Sequence, residues 1–243
     1  SYTNGLDKPS DYFTTKLYAG NSTGSTQQAI TGLDFSPNMV WIKPRSDAEK
    51  HSIADTVRGA TKTIHPHLDD AEETSAGHMV SFDANGYTVG VDNYSWNKNG
   101  STYASWNWKA GTSFTNDASG TGIGSIDSAG SVNQDAGFSI VSYTGTGSNA
   151  TVKHGLNSAP AWIIFKDRSA TKDWFVYHQS YSPATGGKLN STANPSADST
   201  YFQNTATTSS VFSIGNANTV NPSSNNMIAY CFAEKQGYSK FGS

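Results

Sequence analysis

The sequence repeats itself. Three blocks of the first half return in the same order in the second half: those that begin at Phe13, Pro37 and Ala104 match those that begin at Phe138, Pro160 and Ile228. Matched blocks in one order indicate an internal duplication, and each copy is then expected to form a body of its own. Features that both copies keep are expected to serve the fold, whereas features of one copy are candidates for function.

Short runs rich in Val, Ile, Tyr, Phe and Trp, separated by Gly, Asn and Pro, are typical of antiparallel sandwiches. The strand candidates are residues 13–18, 39–43, 51–55, 79–82, 87–91 and 103–109 in the first copy, and 137–144, 162–166, 174–178, 210–214 and 227–233 in the second. Helix is expected only at the acidic residues 69–73. We therefore predict an all-β protein made of two tandem antiparallel β-sandwiches.

The matched blocks also set the expected domain boundaries. Residues 13–111 and 137–234 form the two repeats, after a short N-terminal lead over residues 1–12 and before a C-terminal tail over residues 235–243. Between the repeats, residues 112–136 are mostly Ser, Thr, Gly and Asp. Such a composition predicts a linker or a long excursion between strands.

Composition argues against several classes of partner. The net charge of −3 is spread along a chain with only 14% charged residues, and no run of Lys or Arg would attract phosphate. We therefore expect neither nucleic-acid binding nor membrane insertion. The single cysteine, Cys231, lies in a strand candidate and is expected to pack as a small apolar residue. The closely spaced glycines at 120, 122 and 124 lack the Lys-Ser/Thr of a phosphate loop, so no cofactor is predicted.

One histidine motif could bind metal. His65, His67 and Asp69 have the spacing that can place two imidazoles and a carboxylate around one zinc ion, and they resemble the start of the metallo-β-lactamase motif. That motif needs a further histidine where this chain has Asp70, and the second repeat has no equivalent ligands. A turn is the favoured interpretation, and no metal site is predicted.

Hydrolytic chemistry lacks a clear signature. The carboxylates of Asp69, Asp70, Glu72 and Glu73 could act on a sugar, but acids clustered on one short segment are more typical of a solvated helix start. No Gly-X-Ser-X-Gly elbow accompanies the histidines. The sequence therefore favours a protein that is not an enzyme.

A structural ion pair is expected at Asp55 and Arg58. Three residues apart, they could form a bidentate contact across a turn. The second repeat does not keep the pair, so a ligand-binding role stays open beside the favoured role of fixing the turn.

The candidate binding site is the loop that holds Tyr94 and Trp96 among Asn93, Asn97 and Asn99. The corresponding residues 216–225 contain no aromatic side chain. Because sugars offer a flat CH face to a ring and hydroxyls to amides, these five residues could contact a saccharide. Both rings could instead fold inward and close one end of a sandwich.

Several longer motifs resemble a repeat family of tail-fibre and other virion proteins of tailed bacteriophages, especially marine ones. They begin at Gly5, Val40, Asp55, Ala104, Gly137, Cys231 and Gly237 and together cover nearly the whole chain. The resemblance implies jelly-roll, concanavalin-A-like β-sandwich repeats at a virion surface, outside the host cell. In relatives a further repeat often follows the Lys-Phe-Gly sequence near the end, so this form is expected to be shorter or processed.

The resulting hypothesis is a non-enzymatic virion module that attaches to host cell-surface glycans by weak, multivalent contacts and associates with other virion proteins, as a homo-oligomer. The alternative is an architectural protein that assembles or decorates the particle without a ligand. A polysaccharide-degrading enzyme is the third interpretation, and it would need two convergent carboxylates in a cleft.

Overall fold

The fold consists of two compact units. A computed structural model describes residue 6, residues 8–92 and residues 94–242. One unit comprises the described part of Lys8–His67 and Glu72–Gly111, and the other comprises Leu6, Leu68–Ala71 and the described part of Thr112–Ser243. We call them the first and the second unit. The protein is all-β, as predicted, and its sheets are antiparallel.

The first unit begins with a short 3-10 helix at Pro9–Asp11, and its described residues form three sheets. The strands pair in the orders β1-β9-β3-β4, β2-β8-β7 and β5-β6. Their bounds are β1 (Phe13–Ala19), β2 (Gln28–Thr31), β3 (Met39–Pro44), β4 (Ser52–Asp55), β5 (Lys62–Thr63), β6 (Glu73–Thr74), β7 (Met79–Asp83), β8 (Gly86–Val89) and β9 (Thr102–Trp108).

The core of the first unit follows from the alternation of side chains along its strands. Along β9, Tyr103, Ser105 and Asn107 are buried, while the residues between them are more exposed. Tyr103 joins an apolar cluster whose members come from both larger sheets and from the loops after β2 and β8: Ile30, Leu33, Val40, Ile42, Ala54, Met79, Tyr87, Val89 and Trp96. The buried hydroxyls of Tyr87 and Ser105 are hydrogen-bonded to each other at 2.7 Å.

The second unit is built around an eight-stranded sheet of order β10-β11-β12-β19-β14-β15-β16-β17, and β13 pairs with β18. The strands are β10 (Thr112–Asn116), β11 (Ser128–Asn133), β12 (Phe138–Thr144), β13 (Ala150–Lys153), β14 (Trp162–Asp167), β15 (Phe175–His178), β16 (Thr185–Lys188), β17 (Ser196–Ala197), β18 (Val211–Ile214) and β19 (Asn226–Phe232). Two single-turn helices, α1 (Ala118–Thr121) and α2 (Ser199–Phe202), interrupt them.

The core of the second unit is richer in aromatic side chains. Phe165, Phe175, Phe202 and Phe212 pack with centroid distances of 5.4 to 5.9 Å between neighbouring rings. Cys231 lies fully buried in the same core, and this burial raises the pKa of its thiol far above the usual value. The cysteine is therefore a packing residue.

The duplication is visible in the strand order. The order β1-β9-β3-β4 of the first unit returns as β12-β19-β14-β15 in the second. The registers agree as well, since Trp41 lies opposite Trp106 and Ile164 lies opposite Tyr230 at the corresponding place. Both repeats thus form the same four-stranded arrangement.

The expected linker over residues 112–136 is wrong. These residues form β10, α1 and β11, and β11 pairs with β12 along its length. At Gly130 an added Cβ would lie 2.0 Å from the carbonyl oxygen of Ile140, so the small residues permit a close approach of two strands. The segment extends the sheet of the second unit.

One smaller expectation also needs correction. The acidic residues 69–73 form no helix, and Glu73 instead begins β6, which pairs with β5. The C-terminal tail packs back onto the second unit, since the ring of Phe241 lies 6.0 Å from Trp162 and 6.1 Å from Phe232. These contacts bury apolar surface at one end of the large sheet.

Candidate binding loop and its surroundings

The candidate loop follows β8 and is organised by Asp92. Its carboxylate oxygen Oδ2 accepts hydrogen bonds from the backbone N–H groups of Tyr94 (3.3 Å) and Trp96 (3.0 Å). Its backbone carbonyl accepts from the N–H of Asn97 at 3.1 Å. Asn93 lies outside the described residues. The aspartate therefore closes a compact turn of the kind that Asx side chains favour.

Trp96 does not face solvent, so for this ring the inward-facing alternative holds. Its side chain is fully buried and stacks on His78 with the ring centroids 5.6 Å apart. Its backbone carbonyl accepts a hydrogen bond from the hydroxyl of Tyr18 at 2.8 Å. Desolvation raises the pKa of that hydroxyl well above its usual range. Trp96 is an anchor of the loop in the core.

Asn97 is also buried and holds three backbone groups. Its Nδ2 donates to the carbonyls of Thr26 and Gly90, each at 3.0 Å, and its Oδ1 accepts from the N–H of Asn21 at 2.9 Å. The amide is therefore occupied by the protein itself. The expectation that Asn97 contacts a ligand is wrong for this conformation.

Of the four candidate residues that the structure describes, two are exposed. Tyr94 is 58% exposed to solvent, while its backbone carbonyl accepts from the hydroxyl of Tyr103 at 2.8 Å. Asn99 is exposed as well, and its N–H donates to the carbonyl of Ser22 at 2.9 Å. The loop thus presents one aromatic ring and one amide from a backbone that is tied to the scaffold.

The second repeat contains the same anchoring device. Asn221 donates from Nδ2 to the carbonyls of Gly215 (2.9 Å) and Ser148 (2.5 Å), and its Oδ1 accepts from the N–H of Thr146 at 2.7 Å. The hydroxyl of Tyr143 donates to the carbonyl of Val220 at 2.6 Å. Asn97 and Asn221 therefore hold equivalent turns.

The sequence contained a signal for this role. With Asn97 placed on Asn221, Trp96 corresponds to Val220 and Tyr94 corresponds to Asn218. An asparagine kept at the same position of both loops indicates a structural role, because the duplicated fold is what the two halves share. Tyr94 is specific to the first unit.

Asp55 and Arg58 form a buried ion pair. Arg58 Nε lies 2.5 Å from Asp55 Oδ2, and both side chains are fully buried. Asp55 Oδ1 accepts from the backbone N–H groups of Val57 and Arg58, and Arg58 Nη2 donates to the carbonyl of Ile53 at 3.0 Å. Arg58 Nη1 also meets Glu72 Oε2 at 3.2 Å. The pair ties β4 to the turn that follows it.

The histidine motif belongs to a hydrogen-bonded cluster. His65 Nδ1 lies 2.8 Å from the carbonyl oxygen of His51, so this nitrogen carries a proton, because a carbonyl only accepts. His65 Nε2 lies 2.8 Å from Glu73 Oε1. Glu73 Oε1 is also 3.5 Å from His78 Nδ1. Burial lowers the pKa of His78, and the charge of Glu73 partly opposes this shift.

The predicted turn at His67 and Asp69 is open to solvent, and both residues are exposed. The His67 ring centroid lies 6.1 Å from that of His65, whose two nitrogens already meet a carbonyl and a carboxylate. Within the described residues no group of three or more His, Cys, Asp or Glu side chains could hold a metal ion.

The class that the fold defines is an all-β protein with an internal duplication. The chain belongs to the family described as Domain of unknown function (DUF7483), whose model matches residues 8–243. Neither the curated proteins nor the solved structures contain a match to this chain. In the parts of the chain that the structure describes, no helix has the length and apolar character needed to cross a membrane.

Proposed function

We propose that this chain is a non-enzymatic module at the surface of a phage virion, where it contacts host cell-surface glycans and other virion proteins. In this proposal each unit is a jelly-roll sandwich of the concanavalin-A-like kind. The resemblance of the repeated motifs to tail-fibre repeats supports the location. The observation that carries the glycan contact is the exposed ring of Tyr94 on a loop anchored by buried neighbours.

The anchoring of the loop favours binding. Trp96 and Asn97 fix its C-terminal part in the core, and Asp92 fixes the backbone before them. A ligand that stacks on Tyr94 therefore has little loop entropy to remove, and preorganisation of this kind increases affinity. A tyrosine ring also offers a flat apolar face together with a polar hydroxyl, which suits a sugar ring.

Polar groups near the base of the loop complement such a contact. Lys98 Nζ lies 3.1 Å from Asp47 Oδ1, and the hydroxyl of Ser101 donates to the same carboxylate. These hydrogen bonds lower the pKa of Asp47, so the carboxylate stays ionised over a wide pH range. Exposed Asn99 adds an amide that can exchange hydrogen bonds with hydroxyls.

One aromatic ring gives a weak contact, and repetition compensates for it. Many copies on one particle raise the effective concentration of each site after the first has bound, so weak contacts combine into firm attachment. The proposal therefore requires a multimeric presentation of this chain.

The test is a titration of the full chain with soluble oligosaccharides from host surface polysaccharide, followed by NMR or calorimetry. Tyr94→Ala is expected to weaken binding roughly fivefold, because one aromatic contact with the sugar is lost. Tyr94→Phe is expected to keep most of the affinity, because the ring remains. Tyr181→Ala is the matched control, because Tyr181 is an exposed tyrosine of the second unit, at 40% exposure.

Equal binding of wild type and Tyr94→Ala would remove the loop from the proposal. Release of reducing ends from the polysaccharide would instead support a degrading enzyme. The architectural alternative, in which the chain assembles without a ligand, is favoured by one observation, the exposed apolar side chain of Leu17 on the outermost strand of a sheet.

A further inference from the structure

The outer edge of β1 in the first unit differs from the outer edge of its counterpart, β12, in the second unit. In the first unit β1 is the last strand of its sheet, as far as the described residues show. Thr15 and Leu17 are exposed there, Leu17 with 61% of its surface in solvent. An edge strand with an exposed apolar side chain is a template for pairing with another strand.

The backbone geometry identifies which groups face this edge. The N–H of Lys109 donates to the carbonyl of Tyr12, and the N–H of Gly20 donates to the carbonyl of Ser101. These bonds bracket the β1 and β9 pairing, in which hydrogen-bonded residues alternate along each antiparallel strand. Even-numbered residues of β1 therefore point their backbone groups at β9. The N–H and C=O groups of Phe13, Thr15 and Leu17 point away from it.

The second unit shows that the equivalent edge can pair with another strand. Its equivalent strand, β12, is covered on this side by β11 in antiparallel pairing. Phe138, Ile140 and Ser142, the counterparts of Phe13, Thr15 and Leu17, lie opposite Asn133, Ser131 and Ala129. The same strand of the repeat thus accepts an antiparallel neighbour when one is supplied.

We propose that the edge of β1 pairs with β1 of a second copy of this chain, in antiparallel orientation about a twofold axis at Thr15. Thr15 then lies opposite Thr15 of the second copy, and Phe13 lies opposite Leu17 of the second copy. All of these positions have outward backbone groups, so the pairing forms complementary N–H to C=O bonds across the axis. The contact is isologous, as in most symmetric dimers.

The side chains of β1 are self-complementary in this register. Phe13 and Leu17 lie on one face, so each apolar side chain meets the other across the axis, and aromatic and aliphatic cross-strand pairs are stabilising. Lys16 lies opposite Thr14. The neighbouring register centred on Lys16 would place two ammonium groups opposite each other, which is unfavourable. The register at Thr15 is therefore preferred.

The decisive experiment is sedimentation equilibrium of the full chain over a range of concentrations, comparing wild type with Thr15→Pro. Proline removes an N–H that does not serve β9, and edge strands tolerate proline at such positions. We expect the wild type to dimerise and the variant to dissociate at least about tenfold more readily, since two central hydrogen bonds are lost. Far-ultraviolet circular dichroism checks that the variant is folded.

Two further pairs of variants keep the test independent of any local unfolding. Leu17→Lys is expected to weaken the dimer, whereas Thr102→Lys adds the same charge at an exposed position of β9 and leaves it intact. Thr15→Cys is expected to form a disulfide-linked dimer under mild oxidation, because opposed residues of such a pair lie about 5.5 Å apart. Thr102→Cys is the control for nonspecific linkage.

A wild-type chain that remains monomeric at the highest concentration would overturn the proposal. So would a folded Thr15→Pro variant that dimerises like the wild type, or equal cross-linking of the two cysteine variants. A larger assembly that survives Leu17→Lys would place the contact elsewhere and would also refute it.

Discussion

At the scale of single residues, the side chains of Asn97 and Asn221 form equivalent hydrogen bonds to the backbone in two different loops. Each amide joins three backbone groups that approach from separate parts of its unit. Close packing of glycine permits this, since an added Cβ at Gly20 would meet the carbonyl of Lys98 at 2.3 Å and one at Gly145 would meet that of Pro222 at 2.0 Å.

We predict that Asn97→Ala and Asn221→Ala each lower the free energy of unfolding of their own unit by about 2 to 4 kcal/mol, because buried carbonyl and N–H groups lose their partners. Urea denaturation followed by tryptophan fluorescence measures the change. Asn99→Ala, an exposed position of the same loop, should stay within about 0.5 kcal/mol of wild type. Similar losses at positions 97 and 99 would contradict the assignment.

His154 provides a pH-dependent contribution to stability. Its Nδ1 accepts from the N–H of Leu156 and its Nε2 donates to the carbonyl of Thr208, each at 3.1 Å, so the neutral ring is satisfied at both nitrogens. Burial lowers its pKa from 6.5 to about 4. A proton on Nδ1 would oppose the N–H of Leu156, which agrees with this direction.

Because the folded pKa lies below the unfolded value, this stability is present above pH 6.5 and is lost as the pH falls toward 4. The loss attributable to His154 is expected to reach roughly 3 kcal/mol. Urea denaturation at several pH values measures it, with His154→Gln as the variant that cannot titrate. If the difference between wild type and variant is constant from pH 7.5 to 4.5, the prediction fails.

Sequence reasoning at this scale predicted the Asp55–Arg58 pair and the burial of Cys231, but it assigned Trp96 and Asn97 to a ligand contact. The burial of Trp96 could not be read from the loop, because an aromatic residue among amides suits a surface and a covered core edge equally well. The asparagine that both loops share could be recognised from the sequence. Recognising it requires aligning the two loops on Asn97 and Asn221, whereas comparing only their content of aromatic residues misses it.

At the scale of elements, the polar segment 112–133 is the clearest difference between expectation and structure. Its strands carry Ser, Gly, Ala and Asn at most positions that are not Thr, and these residues have little intrinsic preference for a strand. Their pairing is decided by the neighbouring strand β12, whose outward backbone groups need partners. A local pattern cannot report such a tertiary cause, whereas the strongly apolar strands β3, β9, β14 and β19 were predictable.

We predict slow hydrogen exchange for the amides of Ala129, Ser131 and Asn133, which face β12 in the alternation of the antiparallel pair. Exchange measured by NMR or mass spectrometry on the full chain provides the test. The amide of Ser119, in an exposed turn of the same segment, is the internal control and should exchange quickly. Uniformly fast exchange over 128–133 would restore the linker interpretation.

At the scale of the whole molecule, the duplication could be predicted, and the unequal division of the chain could not. Leu68–Ala71, from the first repeat, group with the second unit. The carbonyl of Asp69 accepts from Lys166 Nζ at 3.0 Å and from the N–H of Lys172 at 2.8 Å. The local sequence around Asp69 does not indicate its contacts with Lys166 and Lys172, which lie far along the chain.

The equivalent lysines Lys43 and Lys166 allow a matched test. Lys43 Nζ donates to the nearby carbonyls of Asp47 and Glu49, whereas Lys166 is fully buried and bridges Asp69 and Lys172. Lys166→Met is expected to cost roughly 1 to 3 kcal/mol, because buried carbonyls lose a charged donor, and Lys43→Met less than about 1 kcal/mol. Thermal or urea unfolding measures both, and equal losses would count against a special role for Lys166.

The grouping of Leu68–Ala71 with the second unit bears on biosynthesis. A ribosome releases this stretch well before it has made Lys166 and the sheet around it, and domains emerging from the ribosome generally fold from the N-terminus. Leu68–Ala71 therefore lack their contacts with the second unit until the later repeat has been translated. Moving or deleting either repeat as a unit would separate Leu68–Ala71 from the residues that they contact.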